Sequence, residues 1–68
     1  MIIYLVNSDE GPVIAYKNRE DAIDSAATGI AMRDRRKIYS ENELDEIKVN
    51  LKQNYTGYEF WVESIELY

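Results

Sequence analysis

The sequence predicts an α+β fold: a single domain spanning residues 1–68, with a three-stranded antiparallel sheet and two helices on one face in the order β-β-α-α-β. Three observations predict it. The chain opens and closes on runs of β-forming residues, MIIYLV and YEFWVESIEL, and a turn-rich stretch separates the first run from a shorter one, VIAY. Between Asn18 and Leu51, apolar residues instead recur every three or four positions, in two stretches that each begin at a capping residue.

Met1 to Val6 is the most uniformly apolar segment, so it is expected as the central strand. Residues 7 to 12, NSDEGP, are turn formers. Gly11 accepts positive φ, and Pro12 does least harm at the start of a strand. Val13 to Tyr16 returns as the second arm of a hairpin.

Asn18 is suited to cap a helix, Glu20 and Asp21 to its first turn, and Ala22, Ile23, Ala26, Ala27 and Ile30 to its buried stripe. The alanines let the helix lie close to the sheet but bury little area, which leaves most of the packing to Ile23 and Ile30. Gly29 costs about 1 kcal/mol relative to alanine in a helix, so fraying or a bend is expected near Thr28-Gly29.

Ser40-Glu41-Asn42-Glu43 matches a capping box, in which the serine hydroxyl and the glutamate carboxylate each satisfy a backbone donor left open at a helix start. Leu44, Ile47 and Leu51, with the stem of Lys48, form a second buried stripe that ends near Asn54. In the closing run, Phe60 and Val62 share one face while Ile65 and Leu67 share the other. That change of phase requires a bulge near Glu63-Ser64 or burial on both faces.

At 46% hydrophobic, with six tyrosines, the chain is too apolar and too aromatic to stay disordered. It contains no cysteine and no histidine, so no disulfide, metal centre or cofactor is expected. No apolar run is long enough for a membrane span or a secretion signal, and a cytoplasmic location is expected. A domain this small buries only about 60% of its unfolded surface. A homodimer, or a place as subunit of a complex, is therefore expected to cover what its own core cannot.

Enzymatic chemistry is not expected: the sequence has no nucleophile elbow, phosphate-binding glycine loop or metalloprotease spacing, and a chain of this size leaves little room for a carboxylate cleft. Arg33, Arg35, Arg36 and Lys37 form a basic run that could neutralise phosphates, with Tyr39 beside it to stack on a base. The plainer reading is a helix end, where cations complement the dipole. The formal net charge of −5 also opposes binding to a polyanion.

That surplus lies wholly in residues 38–68, where Glu41, Glu43, Asp45, Glu46, Glu59, Glu63 and Glu66 outnumber Lys48 and Lys52. It suits an acidic docking face or a surrogate for DNA phosphates. It also suits first-turn carboxylates that complement a dipole and glutamates that guard a sheet edge. With both helices on one face, the other face of the sheet is left uncovered, and Tyr4, Tyr16, Tyr58 and Trp61 are the aromatic candidates to occupy it. Exposed apolar patches of this kind mark interfaces.

The segments IIYLV, VIAYKNREDAIDSA and WVESIELY together resemble small accessory proteins of bacteriophages and their bacterial hosts that run as hairpin, helix and final strand. Residues 31 to 54 fit that pattern less well. The resemblance implies a phage-encoded protein that binds and disables a host enzyme or defence factor in the host cytoplasm. The expected function is a non-catalytic protein-protein interaction module. Its alternatives are an acidic DNA mimic and a small nucleic-acid binder using Arg33 to Lys37.

Overall fold

A computed structural model describes residues 1–33 and 38–68. The elements are β1 (Ile2–Ser8), β2 (Gly11–Tyr16), α1 (Arg19–Arg33), α2 (Glu41–Lys52) and β3 (Phe60–Glu66). The sheet is antiparallel with order β2-β1-β3, so the apolar opening strand is central. The predicted α+β class and element order hold.

The hairpin turns at Asp9-Glu10, between Ser8 and its partner Gly11, which takes φ +119°. A side chain at that φ would be strained, so glycine serves there. Ser8 is buried, and its hydroxyl donates to Gly11 O at 2.8 Å while accepting from Glu10 N at 3.2 Å. The strands are therefore longer, and the turn tighter, than the run of turn formers suggests. A bulge lies in β2: Val6 faces Ile14 but Asn7 faces Pro12, which leaves Val13 as the extra residue.

β3 pairs with β1 in unbroken register from Phe60 opposite Ser8 to Glu66 opposite Ile2. The phase change in its sequence thus comes from burial on both faces, and no bulge sits at Glu63-Ser64. Paired residues project to the same side of a sheet. Val6, Phe60 and Val62 accordingly share the face that α1 covers, while Ile3, Leu5, Trp61 and Ile65 share the opposite one.

α1 packs across all three strands, and α2 packs chiefly against α1. Asn18 caps α1, its Oδ1 accepting from Glu20 N at 2.8 Å. The core is thin: Val6, Ala22, Ile23, Ala26, Ala27, Ile30, Ile47 and Leu51 are buried, and of these only Ile23, Leu51 and Val6 are both large and under 2% or at about 2% exposure. Ser40 caps α2 as predicted, its hydroxyl oxygen accepting from Glu43 N at 3.3 Å. α2 stops at Lys52, with Asn54 at φ +61° just beyond.

Helix α1 does not end or fray at Gly29. It continues to Arg33, and the phenyl ring of Phe60 lies against the glycine. A Cβ there would meet Phe60 Cε2 at 3.2 Å and two more ring carbons at 3.3 Å. Gly29 therefore costs helix propensity and gains close approach to the sheet.

Candidate functional site: the open sheet face and the β3 edge

Among the described residues, no helix or strand covers the face of the sheet opposite α1. The register brings Ile3, Leu5 and Asn7 of β1, Ala15 of β2, and Trp61, Glu63 and Ile65 of β3 onto it. Trp61 stands at its β3 margin, where the indole Nε1 donates to Glu63 Oε1 at 3.0 Å. That bond fixes the ring through a neighbour two residues along the same strand face.

Of the four aromatic residues expected on this face, the register places only Trp61 there, half-buried and packed against the core as well. Tyr4 and Tyr16 are cross-strand partners on the helix-covered side, in phase with Val6, and both pack against the core. Tyr58 precedes β3. Its hydroxyl accepts from Asn50 Nδ2 at 2.8 Å, and its ring meets Tyr55 edge-on with centroids 4.9 Å apart. Tyr58 thus ties the α2–β3 connection to α2. Parity explains the corrections at Tyr4 and Tyr16, since a shift of one residue moves a side chain to the other face, whereas Tyr58 lies outside the strand altogether. Ile3, Leu5 and Ile65, which complete the open face, were missed because their aliphatic side chains read as ordinary core.

The acidic residues do not gather into one surface. At about 100° per residue, Glu41 and Asp45 lie on one side of α2 and Glu43 and Glu46 on another. Glu41 and Asp45 line a shallow cleft of about 360 Å³ together with Leu44 and Lys48, so a cation stands among them. Glu43 sits by its own cap, with Ser40 Oγ 3.4 Å from its carboxylate. Glu63 and Glu66 project to opposite faces of β3.

Glu59 belongs to a different cluster. Arg33, in the last turn of α1, reaches Asp9 and Glu10 at 2.8 Å each and Glu59 at 3.5 Å, with its guanidinium 5.5 Å from the centre of the Phe60 ring. The hydrogen bond from Arg33 is the largest influence holding the Asp9 carboxyl below its ordinary 3.8. The same bond raises the Arg33 guanidinium.

Arg33 therefore clamps the hairpin turn and the start of β3 to the end of α1, and its charge is spent within the fold. Arg35, Arg36 and Lys37 lie outside the described residues. Tyr39 is half-buried against the core. The stacking face proposed for a nucleic-acid base is thus at least partly occupied by the protein itself.

The two margins of the sheet differ. β2 is short and carries Pro12 and the Val13 bulge, two devices that obstruct addition of a strand. β3 has neither. Met1 and Leu67 exchange backbone bonds, Leu67 N to Met1 O at 2.7 Å and Met1 N to Leu67 O at 3.2 Å, and Asp9 N donates to Glu59 O at 3.2 Å. Inward and outward residues alternate in an antiparallel pair. The odd-numbered residues of β3 therefore bond β1, and the N–H and C=O groups of Phe60, Val62, Ser64 and Glu66 point to the outer edge, which pairs with no other strand among the described residues.

Among the described residues, no group of three or more acids forms a metal-binding cluster, and no helix is long and apolar enough to cross a membrane. No family model, curated protein or solved structure matches the chain.

Proposed function

We propose that this chain is a non-catalytic protein-protein interaction module whose partner-facing surface is the open sheet face centred on Trp61. The observation that carries the proposal is the apolar set Ile3, Leu5, Trp61 and Ile65, laid on one side of the sheet with no described element over it. A rigid tryptophan within an aliphatic field is the composition of an interface hot spot. The biological setting that accords with the sequence resemblance is a phage-encoded modulator of a host enzyme or defence factor, acting in the host cytoplasm.

The occupant proposed is a different protein, not a second copy. Three strands at about 4.8 Å spacing and seven residues at about 3.3 Å give a face on the order of 300 Å² in projection. Each partner in a standard interface buries about 800 Å². Two such faces pressed together would make a weak dimer, whereas a different protein can extend its contact beyond the face.

The test is affinity capture from host lysate with three baits: the parent, Trp61→Ala, and a variant with charge reversal at Glu41, Glu43, Asp45 and Glu46. Loss of the captured protein with Trp61→Ala alone supports the open face. Loss only with the charge-reversed bait, together with steep salt dependence, would replace it with the DNA-mimic reading. A light-scattering mass of twice the monomer would assign the face to a second copy. A mobility shift of DNA or RNA at low salt would favour the nucleic-acid reading instead.

A further inference from the structure

We propose that the free edge of β3 receives an extended segment of a partner protein, bearing lysine or arginine, as a fourth strand of the sheet. The proposal rests on the protein-binding reading above and adds the mode of docking and the chemistry of the partner. It starts from the outward backbone groups. Phe60, Val62, Ser64 and Glu66 offer donors and acceptors in the spacing of an antiparallel ladder, along seven residues without a proline or a bulge. Unpaired edges of this kind are templates for another strand, and peptide recognition by strand addition takes its affinity from such main-chain bonds.

Side chains set the charge of the incoming strand. Glu63 and Glu66 are exposed and flank the edge on opposite faces of the sheet. Glu59 is engaged by Arg33 and contributes less. Directly opposed charges of unlike sign stabilise a strand pair, and like charges destabilise it. A segment with a basic residue opposite Glu63 would also bring its stem beside the Trp61 ring on the open face.

The same geometry disfavours a second copy. In the two-fold register that pairs all seven residues of β3 with their equivalents, Phe60 meets Glu66 and Glu63 meets Glu63. The Glu63 pair would be a non-hydrogen-bonded pair, the closer of the two kinds, at about 4.5 Å between Cα atoms. Each copy also brings a net charge of −5. The glutamates thus repel self-association and attract a basic strand.

The experiment is amide hydrogen exchange by NMR on the full chain, with a blocked peptide of alternating lysine and valine as probe and the same peptide with glutamate for lysine as control. The lysine peptide is expected to slow exchange at Val62, Ser64 and Glu66 by about tenfold or more at saturation, and the glutamate peptide to leave it unchanged. Ser64→Pro removes an outward donor without touching the ladder to β1. It should abolish the slowing while Trp61, Glu63 and Ile65 stay protected. If Ser64→Pro unfolds the chain, Glu63→Lys with Glu66→Lys replaces it, and preference should pass to the glutamate peptide.

Equal slowing by both peptides, or none by either, overturns the proposal. So does protection of the outward amides in a dimer without peptide, which would give the edge to a second copy. A shift confined to the Trp61 indole overturns strand addition but leaves the open-face reading standing.

Discussion

Replacing Gly29 by alanine tests the contact that sets the distance between α1 and the sheet. The substitution alone gains about 1 kcal/mol of helix propensity. Against that, the new Cβ would stand 3.2 to 3.3 Å from three carbons of the Phe60 ring. Either the ring or the helix must then move, and overpacking of this kind costs roughly 1 to 3 kcal/mol. The expected net result is a loss of about 1 kcal/mol, or a fall in Tm of about 4 to 8 °C for a domain of this size. A double-mutant cycle separates the two effects. Phe60→Val deletes all three contacting carbons, so Gly29→Ala in that background should stabilise by about 1 kcal/mol, giving a coupling of about 2 kcal/mol. Urea unfolding followed by circular dichroism measures all four corners. If Gly29→Ala stabilises the parent by its full helix-propensity gain, the glycine is not held by the ring, and the close-approach argument fails.

Two further predictions concern the ends of the helices. Ser40→Ala removes the oxygen that accepts from Glu43 N and should cost about 1 kcal/mol, read as a lower Tm; an unchanged Tm would mean that another group caps α2. The Arg33 cluster predicts a pH dependence. Asp9 has a folded value below its ordinary 3.8, so its contribution to stability is complete above that value and is lost as pH falls through the folded value. Urea midpoints of the parent and Asp9→Asn should differ at pH 6 and converge in acid below 3.8; a gap independent of pH would rule out the Arg33–Asp9 linkage.

The parts of the fold that were legible in the sequence are those set by local chemistry. Ser40 and Glu43 mark a helix start because the cap is made within four residues, and the alanine stripe of α1 marks a buried face because its period is that of the helix. The apolar uniformity of Met1 to Val6 was enough to place that strand in the centre. What was not legible depends on partners far along the chain. Tyr4 and Tyr16 look like surface aromatics until the register sets them in phase with Val6. Gly29 looks like a weak point until Phe60 is brought beside it. Arg33 looks like a dipole complement and is one by position, but its carboxylate partners come from the hairpin turn and from the approach to β3. Residue type gave the candidates for the open face, and only pairing could sort them.

Stability and binding are linked in this chain by how little apolar surface its own core takes. Among the described residues eight apolar side chains are buried, three of them alanines, while Val13, Ile14, Met32, Val49 and Leu67 remain exposed in addition to the open face. A ligand that binds only the folded chain adds stability as the logarithm of its concentration over Kd, about 2.7 kcal/mol at a hundredfold excess. For a small domain, that is a large share of a total in the range of roughly 5 to 15 kcal/mol. If the proposed partner binds there, the face and the edge are coupled to the fold itself: a strand bound along β3 would widen the sheet that α1 packs on, and a surface laid over Trp61 would cover its open side. On the proposed reading, the features that leave the free chain lightly built are the ones that would let a partner both recognise it and hold it folded.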